Sequence, residues 1–459
     1  MTPLFALLFN TLDERLGLRR PGRKAANKVF PHHWSFLLGE VALFSLIVLI
    51  ATGVFLTLFY RPSIEMVDYS GSNPLYEGAR VPAAFASILR LSEEVPGGLL
   101  MRRIHRGASH LFIAATVLHM LRILLTGAFR KPREPNYHIG LLLLALVLAE
   151  GFVGYSLPYD SLAGTGIRIA YSELLSFPLI GDRLAFWVFG GLFPTGDVIP
   201  RFFVFHVLLI PGLIIAVVSI HLLLVVRQRH TQFPHPGVDG HHLIVGKPLW
   251  PWQFSESATL ILWVSGLLSA AAVLIPWSDV TLLGPYVPGR VGNQAQPDWF
   301  LFWVEGMLRI LPPIEIDLPG VTVSGPFIAG VLLPGLIFGA LIAYPFIERK
   351  VYNLQGEWHV LSNPLEIPLR AAMAIGTFSF VLIVSAAATN DVLSRLVGVP
   401  IETVTGFFRL TAVFVPPLLA ALLHRYSTRR LARTGLRVAP TEAEADSRFQ
   451  EPVVTLSAE

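Results

Sequence analysis

Arg102-Arg103-Ile104-His105 through His119-Met120-Leu121-Arg122, and Arg201-Phe202-Phe203-Val204-Phe205-His206 through Ile220-His221, are the two stretches that decide the fold. Each is a long apolar run with a histidine near either end; His105 and His119 are 14 residues apart, His206 and His221 15. At about 1.5 Å and 100° per residue, each pair lies roughly 21 to 23 Å apart along a helix and near one face. Set side by side, the helices bring His105 opposite His206 at one depth and His119 opposite His221 at another. That is a donor set for bis-histidine ligation of two haems stacked across a membrane. Four unrelated core histidines would be the plainer reading in a soluble protein. At membrane depth an ionisable ring is costly and usually functional, and the matched spacing favours ligation. His110 fits neither pairing and reads as packing or a loop-side contact.

The composition agrees with a membrane location. Of 459 residues, 53% are hydrophobic and 14% charged, and the mean hydropathy is +0.60, which together indicate an integral membrane protein. The pI of 9.4 does not mark a nucleic-acid binder, because the basic residues are dispersed among loops. There is no cysteine, which excludes a disulfide, a thioether-linked haem and a thiolate-held iron–sulfur cluster in these residues. Any such centre belongs to a partner.

Residues 1–33 are polar and basic, without a cleavable signal pattern. Eight apolar stretches near the length needed to span follow: Trp34–Tyr60, His105–Leu125, His138–Leu157, Phe203–Val226, Ala258–Ile275, Phe327–Phe346, Ala371–Ala388 and Val404–His424. The last is the weakest, interrupted by Arg409, Pro416 and Pro417. The expected fold is an all-α membrane protein of eight helices with a four-helix bundle around two b-type haems. It divides into a cytoplasmic N-terminal segment (1–33), a di-haem bundle (34–230), a cytoplasmic connection (231–257), a C-terminal four-helix part (258–424) and a tail (425–459). Lysine and arginine outside the spans number 21 on the side of the termini and 11 on the other, so the positive-inside rule places both termini in the cytoplasm of a cell-membrane protein. His105 and His206 then lie toward the outer face.

Glycines echo the histidine interval. Gly39 and Gly53 are 14 apart in the first span, and Gly140 and Gly154 are 14 apart in the third. A missing side chain lets a flat macrocycle lie against a helix, although glycine also serves simple helix contacts. Arg102, Arg122 and Arg201 fall at helix ends where a haem propionate would find a cation, or where arginine snorkels to the interface. Pro211 between the second pair allows a kink or a widened turn that absorbs the extra residue of that helix.

These pieces resemble cytochrome b of the cytochrome bc family, the quinol-oxidising membrane subunit of electron-transport chains. The likeness rests on the four histidines, the four glycines, Gly154-Tyr155-Ser156-Leu157-Pro158, and Pro297-Asp298-Trp299-Phe300 between the fifth and sixth spans. The family's usual Pro-Glu-Trp-Tyr is shortened by a methylene and loses its phenol here. The second histidine pair has 14 intervening residues, as in chloroplast-type and Gram-positive members, yet the chain is not split. Val29-Phe30-Pro31-His32-His33-Trp34 and His230-Thr231-Gln232-Phe233-Pro234 are similar to the actinobacterial branch.

The resemblance implies quinol oxidation near the outer face, with one electron passing to a Rieske iron–sulfur partner and the other inward to a second quinone at the cytoplasmic face. It implies menaquinol as substrate, a cytochrome c subunit, a homodimeric complex, and a supercomplex with a terminal oxidase. Asp298 is the expected proton acceptor, with Tyr155 as hydrogen-bonding partner and Pro297, Trp299 and Phe300 shaping the pocket; Glu305 and Asp160 are secondary proton exits. At the inner site Arg227, His230 and Trp34 are candidates, with Glu40, Lys247 and Glu256 at similar depth, although lipid or loop contacts would place them equally well. The tail runs from basic (Arg425, Arg429, Arg430, Arg433, Arg437) to acidic (Glu442, Glu444, Asp446), as for anionic lipid contact. Residues 61–100 are expected to fold against a partner. A transporter with structural histidines, or a different di-haem quinone oxidoreductase, are the rival readings; the first predicts no b-type absorbance and the second no Rieske dependence.

Overall fold

The computed structural model describes residues 26–236, 243–277, 280–290 and 296–434, together with Arg15, Gly17 and Arg23. Most of the N-terminal segment and all of the tail beyond Thr434, including Arg437, Glu442, Glu444 and Asp446, lie outside the described residues.

Eight helices in this range are long and apolar enough to cross a membrane. In chain order the elements are strand β1 (Val29–Pro31), helix α1 (Trp34–Thr57), strands β2 (Met66–Asp68) and β3 (Arg80–Pro82), and helices α2 (Ala83–Glu93), α3 (Gly98–Thr126), α4 (Glu134–Ser156), α5 (Ser161–Leu175), α6 (Gly181–Phe189) and α7 (Val198–Arg227). The second half holds β4 (Gly246–Pro248), α8 (Leu249–Leu274), α9 (Val280–Leu283), α10 (Phe302–Ile310), β5 (Glu315–Leu318), β6 (Val321–Ser324), α11 (Gly325–Val351), α12 (Pro368–Ala387), α13 (Asn390–Val397) and α14 (Ile401–Thr434). The strands form three two-stranded antiparallel ribbons, β1–β4, β2–β3 and β5–β6. The first of these joins the entry of α1 to the entry of α8.

The helices outrun the apolar windows that reveal them. α3 begins seven residues before His105, so Arg102 and Arg103 lie within it. Its ends are set by Gly97 and Gly127, whose φ values of 76° and 71° suit glycine and end the helical ladder at both sides. Arg409, Pro416 and Pro417 do not break the last span: α14 is the longest described helix, 34 residues, and Arg409 donates to the Ile310 carbonyl at 2.6 Å. α7 contains a π turn at Phe205–Leu209, just before Pro211. This is the widened turn that the extra residue between His206 and His221 calls for.

α1, α3, α4 and α7 converge on one buried cluster: Leu46 from α1, Phe112 and Ile113 from α3, Val147 and Tyr155 from α4, and Ile214 from α7, closed by Phe300. It lies between the two histidine levels. Leu262, Trp263, Leu274, Leu410 and Phe414 point outward, as lipid-facing residues of a bundle do.

The long connection after α1 packs on its own chain. Tyr69, Val81, Phe85, Leu89 and Leu91 form a buried cluster with Val280 of α9, and α2 is buried on nearly every side. Its Ala, Phe, Ile and Leu side chains face that cluster while Arg90 and Glu93 stay exposed.

At the opposite end, Glu348 of α11 is fully buried between Arg370 of α12 (Nη2–Oε1 2.6 Å) and Arg130 of the α3–α4 turn (Nε–Oε1 2.8 Å). The Tyr344 hydroxyl donates to Glu348 Oε2 at 2.6 Å. The arginines stack on Trp358 and Phe129. The Glu348 charge persists this deep because both of its oxygens are paired.

Candidate functional site: two histidine levels

At the upper level the rings of His105 and His206 stand with centroids 6.1 Å apart and planes at 80°. At the lower level His119 and His221 are 6.4 Å apart at 78°. Two metal–imidazole bonds of about 2 Å each, plus about 1.1 Å from nitrogen to ring centre on both sides, require a separation of roughly 6.2 Å. Both pairs therefore fit a metal held between them.

Each of the four glycines faces one histidine. A Cβ added at Gly53 would stand 3.3 Å from His105 Cε1, at Gly39 3.2 Å from His119 Cε1, and at Gly154 2.5 Å from His206 Cε1. At Gly140 it would meet Met120 at 3.2 Å and His221 Cε1 at 3.8 Å. The bundle is thus pared back at the four places where a planar group between the rings needs room.

The rings are oriented from behind. Thr52 Oγ1 lies 2.9 Å from His105 Nδ1, and Glu150 Oε1 lies 2.8 Å from His206 Nδ1. Such outer contacts fix which ring nitrogen is left as the ligand. Of the three arginines, Arg122 borders the lower level, its guanidinium 4.4 Å from the centre of the Phe36 ring and its Nε buried without a partner. Arg102 donates to Ser92 Oγ at 3.0 Å. Arg201 turns to the end of α6, donating to the Trp187 carbonyl at 2.6 Å, with Asp197 of the α6–α7 loop 3.9 Å away.

The Pro297–Phe300 segment docks against the upper level. Phe300 is buried beside Ile113 and Tyr155, and a Cβ at Gly151 would touch its ring at 2.9 Å. Asp298 Oδ1 is 2.5 Å from Arg106 Nη2, and Trp299 Nε1 donates to His110 Nδ1 at 3.0 Å. Neither Arg106 nor His110 stands out in the sequence. Arg106 is separated from Asp298 by 192 positions, and only its place beside a ligand histidine could have drawn notice. Asp160 caps α5 by accepting from Ala163 N at 2.8 Å, and burial pushes its carboxyl up to about 6. Glu305 is committed to Arg309 at 2.7 Å, and Arg309 also holds Asp391 at 2.9 Å. Glu173 is a further carboxylate nearby that was not anticipated; burial, with Glu305 close, pushes it up to about 8.

A cavity of about 430 Å³ spans the lower level, running from Phe112, Val147 and Ile214 past His119 and His221 to Arg122, Glu40, His33 and His230. Burial, aided by Lys28 and Arg133, holds His230 down at about 4. Glu40 accepts from Ser257 Oγ at 2.7 Å and Gln253 Nε2 at 3.1 Å. Arg133 and Asn136 also line the cavity, and the sequence did not single them out. Trp34, 71% exposed, and Arg227 do not line it. Lys247 and Glu256 pair with each other, and His32 Nδ1 lies 3.3 Å from Glu256.

The family model described as cytochrome b(N-terminal)/b6/petB matches residues 110–285. A cytochrome bc1 complex cytochrome b subunit of Streptomyces coelicolor is 40% identical over 409 residues, 89% of this chain and 74% of that protein. The chain belongs to the cytochrome b family of cytochrome bc1 complexes. The same-named subunits of Mycobacterium bovis (41% identical; 88% of this chain, 73% of that one) and Corynebacterium diphtheriae (39%; 93% and 78%) stand equally near. Among solved structures, a hyperthermophilic respiratory Complex III chain superposes with a TM-score of 0.64 at 20% identity, covering 90% of this chain and 99% of that one. This cytochrome b is accordingly the membrane subunit of a quinol–cytochrome c oxidoreductase and a multi-pass plasma-membrane protein. Its family implies b-type haems.

Proposed function

We propose that this cytochrome b binds two haems, one between His105 and His206 and one between His119 and His221, and oxidises menaquinol beside the outer one. The observation that carries the reading is the pair of histidine levels, each spaced for one iron and faced by glycines. The haems supply one-electron relays from the outer to the inner face. Arg122 and Arg102 are suited to propionates, and Arg201 to holding the loop above the outer level.

Phe300, Trp299 and Pro297 shape the outer quinol site against Tyr155. Asp298, oriented by Arg106, takes a quinol proton there, and Asp160, Glu173 and Glu305 offer carboxylates for its exit. A Rieske partner and a cytochrome c subunit receive the other electron. At the inner face the end of the cavity beyond the lower histidines, near His230, Arg122 and Glu40, holds a quinone. His230, neutral at physiological pH, offers its ring to hydrogen-bond the quinone, and the protons taken up there come from the cytoplasm. Both termini lie in the cytoplasm, the complex is a homodimer, and it joins a terminal oxidase. Residues 34–230 act as the haem bundle, and residues 258–424 complete the quinol site.

The test is a reduced-minus-oxidised spectrum with pyridine haemochrome quantitation on the purified complex. Two b-type haems per chain support the reading; none or one refutes it.

A further inference from the structure

We infer that Glu150 is a positioning residue of the outer haem site: its carboxylate accepts the Nδ1 proton of His206, fixes that ring as a ligand through Nε2, and lowers the midpoint potential of the outer haem. The inference rests on the two-haem reading and concerns a residue to which that reading gives no role.

Glu150 lies on α4 one helical turn before Gly154. Residues four apart share a helix face, so the carboxylate and the gap left by Gly154 meet the same ring. Oε1 is 2.8 Å from His206 Nδ1, and both side chains are only 17% exposed. The other oxygen, Oε2, and His206 Nδ1 are both buried without a hydrogen bond of good angle, so the 2.8 Å approach is an ion-pair contact that a turn of the ring closes into a hydrogen bond. An ionised carboxylate only accepts, so with Glu150 charged the ring supplies the proton and Nε2 keeps its lone pair. Among the described residues no carboxylate pairs with His105, His119 or His221; His105 has the Thr52 hydroxyl instead.

This asymmetry has an electrostatic consequence. A carboxylate behind a ligand imidazole raises its basicity, and its charge favours the more positive, ferric state. The haem it serves therefore becomes harder to reduce. By Coulomb's law with distances of about 7 Å to the outer iron and roughly 21 Å to the inner, the inner haem feels about a third of the effect or less. Glu150 thus steepens the potential drop along the inward path.

The experiment is a redox titration of both haems in the purified complex, with the ferric EPR spectrum recorded alongside. Glu150→Gln keeps an acceptor oxygen and removes the charge. The expected result is an upward shift of the outer midpoint, a shift no more than about a third as large in the inner one, and an outer EPR signal close to wild type. Glu150→Leu removes the acceptor too, and its outer EPR signal should also move. An unshifted outer midpoint in Glu150→Gln with two haems present, or equal shifts of both haems, overturns the inference. If the Gln variant loses the outer haem, Glu150→Asp decides: recovery of that haem near the wild-type midpoint supports the role of the carboxylate, and its loss there overturns it. Wild-type protein with fewer than two haems would instead remove the two-haem reading itself.

Discussion

Asp298→Asn separates chemistry from architecture at the outer site. The carboxylate meets Arg106 at 2.5 Å, with the two side chains 11% and 21% exposed. Asparagine is isosteric and keeps an amide oxygen where Oδ1 stands, so Arg106 retains an acceptor and the Pro297–Phe300 segment stays against Gly151 and Tyr155. What is lost structurally is the charged part of one hydrogen bond, about 1 kcal/mol. A positioned base, by contrast, contributes about 10²- to 10⁴-fold to a rate. The expected result is a fall of at least about 100-fold in quinol-dependent cytochrome c reduction, with both haem bands at wild-type amplitude. Glu, one methylene longer, should recover a large share of the rate, since it restores the group usual in the family. The assay is steady-state turnover with a soluble menaquinol analogue, normalised to haem. Turnover within a factor of about two of wild type in the Asn variant would show that Asp298 is only Arg106's counterion.

His221→Ala should remove the inner haem band and leave the outer one; loss of both would mean that the ring supports folding rather than one metal. Gly154→Ala places a methyl 2.5 Å from His206 Cε1, whereas Gly140→Ala stands 3.8 Å from His221 Cε1, so the first should deplete the outer haem while the second retains the inner, as read by haem content. Glu348→Gln leaves Arg130 and Arg370 buried together without a counter-charge and should destabilise by about 3 to 5 kcal/mol, visible as a lower thermal midpoint; an unchanged midpoint would refute the account of that cluster. His230 is held at about 4 by burial, with Lys28 and Arg133 adding, against about 6.5 in an unfolded chain. The unfolded state takes up a proton first, so this contribution is present above about pH 6.5 and is lost as pH falls toward 4. His230→Gln should flatten that acid-side decline in a pH series of thermal melts.

The bundle was legible because its rule is one-dimensional. Two intervals, 14 and 15 residues, on apolar runs locate four rings, and the glycines repeat the same interval. Helix ends were less legible: hydropathy stops at Arg102 and Arg103, but the backbone ladder continues to Gly97. The Arg106–Asp298 pair was hidden because its members are 192 residues apart and neither has a pattern around it. Arg201 shows the limit of reasoning from a helix end, since carbonyls of the preceding helix take up its guanidinium.

The Arg130–Glu348–Arg370 knot bears on how the chain is made. Arg130 emerges from the ribosome 218 residues ahead of Glu348. At about 5 to 20 residues per second, that is roughly 10 to 45 s. By the end of that interval the first four spans are available to membrane and haem, while the turn between α3 and α4 still waits for its anion. The lower end of the bundle can settle only after α11 and α12 have been inserted. Biogenesis thus keeps the inner site open to incoming cofactor until late, and the last helices then seal it by neutralising a charge deposited early.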